Sequence, residues 1–246
     1  MLKQRITITL LLFLVIGLSY VKIQNVYKQE HSVQEAAIIE QKNVSKNIKQ
    51  QQIKEKNIDK EIANVQKSIQ TIIEGTEGSL SVSYYDTNLQ KGFSVQGDDN
   101  YEGEFLLNVP VSLLLDNAGQ EKLSNKLLSK VDDKTLDEAV QKLGGLQRVM
   151  QSLADNYQGQ IVTNKDNTIY MSTNQMMCFA VQIATNENNS NILNQMKQDK
   201  LIQSDEYTEA VYLFSSDHHK MMTILLDINN LTVNPDAIVD KLAKTI

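Results

Sequence analysis

The apolar positions of this chain fall into distinct regimes. Residues 6–21 (ITITLLLFLVIGLSYV) form an uncharged run behind the basic start MLKQR. The run is longer than a signal-peptide core and shorter than the ~20 residues of a full span. Gly17, Leu18, Ser19 and Tyr20 supply no small-x-small cleavage pattern, so residues 1–29 are expected to be an uncleaved membrane anchor. Lys3 and Arg5 precede the run and Lys22 and Lys28 follow it. A basic start before a short leading apolar segment is the pattern of export, so the remainder is expected on the extracytoplasmic side as a single-pass membrane protein. From 30 to 57 Gln, Lys, Glu and Asn dominate, and Val33, Ile38, Val44, Ile48 and Ile53 are too sparse to bury much area. That stretch predicts a polar helical tether, exposed or weakly coiled, with weak homo-oligomerisation as its one association mode. Ile58, Ile62, Val65, Ile69 and Ile72 then step by four and three towards Glu74-Gly75, the stripe of an amphipathic helix. Two heptads fall short of the three or four that argue for a coiled coil, so the stripe is expected to pack on the domain that follows.

Beyond Gly75 the period changes. SLSVSYYDT sets Leu80, Val82 and Tyr84 against Ser81, Ser83 and Tyr85, a half-buried strand, and a five-residue connection through Asn88 to Gly92 leads to the second strand FSVQG. Helical patterns occupy 108–117, 134–156 and 173–186, with polar loops between them. Two more strands, AVYLFSS (210–216) and MMTILLDIN (221–229), precede a helix that Asn234 caps and Pro235 opens. Strands at both ends of the domain and helices in its middle predict an α+β fold in three αβα layers. An antiparallel sheet is covered by the N- and C-terminal helices on one face and by a helical subdomain on the other. The helix from Asn108 is apolar nearly all round, which makes it the buried pillar of residues 58–246.

Charge and cysteine content narrow the chemistry. With 24 Lys+Arg against 30 Asp+Glu the chain has no electrostatic footprint for nucleic acid. Its single cysteine, Cys178, sits among Met176, Met177, Phe179 and Val181 as a structural thiol, and can build neither a disulfide framework nor a cysteine metal site. His218 and His219 fall in a hairpin connection without a third ligand at recognisable spacing. No metal and no cofactor is expected.

In order, the helix at 58–74, SLSVSYYDTNLQKGFSVQGDDNYEGEFLLNVPVSLLL, LDEAVQKLGGLQRVMQSL, STNQMMCFAVQIAT, the final hairpin and the last helix resemble the class A β-lactamases and the related penicillin-interacting serine hydrolases. The resemblance implies a β-lactamase/transpeptidase-like fold over 58–246. It also implies a nucleophilic Ser, and a Lys three residues later, just before an apolar residue and Pro. Counting back from Pro110, those two positions hold Phe105 and Asn108. A phenyl ring has no nucleophile and an amide no titratable amine. The Ser-Asp-Asn motif finds only Val131-Asp132-Asp133, the Lys-Thr-Gly motif only Ser204-Asp205-Glu206-Tyr207, and the loop at 164–171 lacks a Glu.

The expected reading is therefore an inactive relative, a pseudoenzyme that binds or scaffolds cell-wall or envelope proteins. Asp132, Asp133, Asp205 and Glu206 are candidate pocket residues. Each degenerate position also has a purely structural reading: Asn108 as the helix N-cap, Phe105 as core, Asp132 and Asp133 as caps of the helix near Lys134. Two alternatives stand beside it. One is an active hydrolase with a relocated nucleophile, Ser112, Ser124 or Ser129; the other is an assembly component acting through the coiled-coil potential of 30–73.

Overall fold

The computed structural model describes residues 48, 50–129, 132–157, 162–163, 168–186, 192–193 and 200–246. The anchor expected over 1–29 and most of the tether lie outside them. No helix among the described residues is long and apolar enough to cross a membrane. The chain divides into two compact units, Met1–Asp59 and Lys60–Ile246. In the first, residues 50–59 are helical, and Ile53 is exposed.

The second unit is organised by the alternation in β1 (Leu80–Asp86), because successive strand side chains point to opposite faces. β1 pairs antiparallel with β2 (Lys91–Val95) on one side and with β8 (Lys220–Asp227) on the other. The β1–β8 register sets Leu80 opposite Leu226, Val82 opposite Ile224 and Tyr84 opposite Met222, which gathers six apolar side chains on one face. β7 (Thr208–Phe214) and β6 (Lys200–Ser204) complete an antiparallel sheet of order β2-β1-β8-β7-β6. That face is covered by α1 (residues 60–74), through Ile62, Val65, Ile69 and Ile72, and by α7 (Pro235–Ala243), through Ile238, Val239 and Leu242. From Ile62 to Ile72 the stripe packs on its own domain, whereas Ile58 falls in the first unit, and Asn234 caps α7 by accepting from the Asp236 amide.

The opposite face presents Ala210, Tyr212, Phe214, Met221 and Leu225 to a helical layer. There α2 (Asn108–Asn117) is buried from Asn108 to Leu115 and packs against α3 (Glu121–Ser129), α4 (Asp133–Lys142), α5 (Leu146–Tyr157) and α6 (Thr173–Thr185). The turn from α4 to α5 runs through Gly144 and Gly145 at φ of 98° and 94°, a left-handed backbone that glycine adopts without steric cost. α6 begins at a capping box between Ser172 and Gln175. Hydroxyls of the sheet seat it: Thr223 donates to the Thr173 carbonyl at 2.8 Å, and Ser83 donates to Asn174 Oδ1 at 2.7 Å. A small sheet of order β3-β5-β4, made of Tyr101–Glu102, Ile169–Met171 and Val162–Thr163, flanks the entry to α2.

Three expectations need correction. α3 occupies a stretch that reads as a polar loop, because its only apolar positions are Leu123, Leu127 and Leu128; packing against α2 supplies what the stripe lacks. The main sheet has five strands rather than four, because β6 turns Gln203 inward beside Leu201 and so breaks the apolar alternation that marks a strand. The first hairpin connection is four residues, Thr87 to Gln90, with Gln90 at φ 52°.

Candidate functional site

The chain enters α2 through a 3-10 turn, Glu104–Leu107, after Gly103. Gly103 donates to the Ile169 carbonyl at 3.0 Å, which ties the turn to the small sheet. The Phe105 ring folds back over Gly103: a Cβ there would lie 2.3 Å from Phe105 Cε1 and 3.2 Å from Asp205 Oδ2. Only glycine admits this approach. Phe105 is 4% exposed and belongs to the core of the helical layer, so its ring serves as core filling at this turn.

Asn108, 1% exposed, is not the helix cap. Leu107 holds the N-cap position with no side-chain cap bond, and the Asn108 amide donates to the Phe105 carbonyl inside the 3-10 turn. Because that turn already supplies backbone acceptors, the first amides of α2 need no side-chain cap. The Asn108 side chain faces the sheet instead and donates through Nδ2 to Gln203 Oε1 at 2.7 Å. Gln203 in turn donates to the Leu128 carbonyl at 3.0 Å. Two neutral amides thus stitch the start of α2 to β6 and to the end of α3. Asn108 Oδ1 and Ser112 Oγ, one turn apart, are both buried and find no hydrogen-bond partner among the described residues. Gln203 is the residue that sequence reasoning missed; its only signal is an inward position on β6.

The four acidic candidates serve local structure. Asp132 is the N-cap of α4 and accepts from Thr135 Oγ1 at 2.7 Å, while Asp133 lies in the first turn, where a carboxylate suits the helix dipole. Asp205 Oδ1 accepts from the Tyr207 and Thr208 amides, both at 2.7 Å, and so holds the β6–β7 turn; Glu206 is exposed at its tip. Asp205 is the one of the four that lies beside Phe105 and Gly103. Among the alternative nucleophiles, Ser112 and Ser124 are fully buried, with Ser124 Oγ donating to the Ser112 carbonyl at 3.3 Å, and Ser129 donates to the Lys126 carbonyl. Cys178 is half-buried, with its thiol pushed up by burial. His219 Nδ1 lies 3.2 Å from Thr87 Oγ1, the His218 ring meets Phe214 edge-on, and no cluster among the described residues could hold a metal ion.

The layers, strand order and buried pillar can be set against solved structures. A β-lactamase from Xanthomonas campestris pv. campestris superposes with a TM-score of 0.61 at 10% identity, covering 75% of this chain and 97% of that one. This chain has the β-lactamase-like fold. TLA-3 extended-spectrum β-lactamase matches with a TM-score of 0.61 at 10% identity over 75% of this chain and 97% of that one. A β-lactamase from Chitinophaga pinensis gives 0.58 at 12% identity over 74% and 96%. No protein-family model and no curated protein matches the chain. At the start of α2 the buried side chains are the ring of Phe105 and the amide of Asn108, neither of which is a nucleophile or a base.

Proposed function

We propose that this is a β-lactamase-like protein without acyl-transfer activity, carried on the extracytoplasmic side of the membrane by residues 1–29 and the tether 30–57. Its domain, 58–246, acts as a binding or scaffolding module for cell-wall or envelope protein partners. One observation carries the loss of activity: the Phe105 ring is closed over Gly103 while Asn108 is tied to Gln203 by a buried amide pair. Neither group can attack a carbonyl or take a proton at neutral pH. The burial of Ser112 and Ser124 supports the same reading, because a nucleophile must reach its substrate. The experiment is incubation of the full chain with a fluorescent penicillin followed by intact-mass measurement. The expected result is unmodified protein; an acyl adduct on any serine overturns the proposal.

Exposed Ile48 and Ile53 in the tether favour a second reading, in which assembly runs through residues 30–57. Sedimentation of the full chain beside an Ile48→Ser, Ile53→Ser variant tests it. A lower association state in the variant supports assembly, and identical behaviour removes it.

A further inference from the structure

A cleft of about 610 Å³ opens at the end of the main sheet where β1 begins, β7 begins and β8 finishes. Its volume lies within the ~300–1,000 Å³ of small-molecule sites. Its lining includes neither Phe105 nor Asn108, so its chemistry does not depend on the start of α2.

The lining mixes donors and acceptors in close order. Asp99, Glu102 and Asp227 supply carboxylates; Asn100, Asn229 and Asn230 supply amides. Two of the carboxylates are already engaged. Glu102 Oε2 accepts from the Tyr170 hydroxyl at 3.0 Å, and Asp227 accepts from the Asn229 amide at 3.1 Å and from the Asn230 side chain. Their remaining lone pairs lie beside amides that both donate and accept. An ammonium ion finds only acceptors useful, whereas a vicinal diol uses both kinds of group. Three carboxylates with no basic side chain among the described residues of the lining disfavour phosphate and carboxylate ligands.

The rim adds an aromatic face. Tyr207 is 58% exposed, yet its backbone is fixed from two sides. Its amide donates to Asp205 Oδ1 at 2.7 Å, and its carbonyl accepts from the Ile228 amide at 2.7 Å. An exposed ring on a pinned turn is a pre-organised platform, costing little ordering entropy when a ligand stacks on it. Tyr101, also in the lining, is buried with its hydroxyl 3.0 Å from Ser79 Oγ, and burial pushes its phenol above the ordinary range.

We infer that this cleft binds a neutral oligosaccharide, its sugar rings stacked on Tyr207 and their hydroxyls paired with the Asp and Asn side chains. The inference goes beyond the binding role proposed above and stands whether or not a serine can be acylated.

Titration calorimetry of the full chain with N-acetylchitotetraose, cellotetraose and maltotetraose tests it, with spermidine as a cationic comparison. At least one tetrasaccharide is expected to bind, with little dependence on salt because the ligand carries no charge. Tyr207→Ala should weaken that binding at least tenfold, and Asn229→Ala severalfold, with Tm unchanged in both because each side chain is exposed. Absence of binding by all three sugars, unchanged affinity in Tyr207→Ala, or salt-dependent binding of spermidine alone overturns the inference.

Discussion

Replacing Asn108 by Ala removes the donor of a 2.7 Å hydrogen bond and strands Gln203 Oε1 in the interior. A buried acceptor without a partner costs about 1–3 kcal/mol, so Asn108→Ala should lower unfolding stability by that amount in urea titration. Gln203→Ala should cost a similar amount, and the double variant less than the sum, because the two share one interaction. Phe105 differs in kind, since its ring contributes area rather than polarity. A variant combining Phe105→Ser with Asn108→Lys supplies a hydroxyl and an amine at these positions while emptying a packed site and placing an ammonium at a buried position. The loss of an aromatic alone costs about 3–5 kcal/mol. We expect a large fall in Tm and no penicillin adduct by mass. Glu209 on β7 provides the pH test. Burial raises its carboxyl above the ordinary range, Asp236 adds to that and Lys200 offsets part of it. A carboxyl whose folded pKa is raised contributes stability below its unfolded pKa and loses it as pH climbs through the folded value. Glu209→Gln should therefore raise Tm at pH 7 relative to the parent, and the difference should vanish as pH falls into the ordinary carboxylate range.

At the scale of elements, apolar contrast decides what the sequence reveals. α1 is legible because Ile62, Val65, Ile69 and Ile72 recur at helical spacing and then find a partner face. Ile69→Ala should cost about 2–5 kcal/mol, the range for a buried aliphatic, whereas Ile53→Ala in the exposed tether should leave Tm unmoved. β1 and β8 are legible for the same reason, since each alternates or runs apolar along its length. β6 is not, because its inward residues are Leu201 and Gln203, and an interior glutamine looks like a surface residue until Asn108 and the Leu128 carbonyl satisfy it. α3 fails differently: three leucines among polar residues carry too little contrast for a helix whose stability comes from α2. The candidate site shared both difficulties. The distance from Pro110 singles out Phe105 and Asn108, but Asn108 is a cross-link rather than a cap, because the preceding 3-10 turn has no periodic signature. The Tyr207 cleft is assembled from chain segments far apart in sequence, which no local pattern announces.

For the whole molecule, the sheet is closed by strands from opposite ends of the domain: Leu80 pairs with Leu226 across the segment that holds α2 to α6. The face thus formed is covered only when α1 and α7 are both in place, so neither is an appendage. Complete burial of an aliphatic side chain stabilises by about 1.5–3 kcal/mol. Ile69 is fully buried and Ile62, Val65 and Ile72 partly so, and their combined contribution is a sizeable share of the ~5–15 kcal/mol net stability of a domain. Among the described residues before 60 all are exposed except the half-buried Ile58, so they add little burial by comparison. A chain beginning at Lys60 should accordingly unfold cooperatively with a Tm within about 2 °C of the full chain. One beginning at Gly75 should expose Leu80, Val82, Ile224 and Leu226, bind a hydrophobic dye and lose its cooperative transition. Calorimetry and dye fluorescence on the pair check both halves. A folded, dye-free chain from Gly75 would assign α1 to association with a partner rather than to the domain, because the sheet would then be stable without its cover.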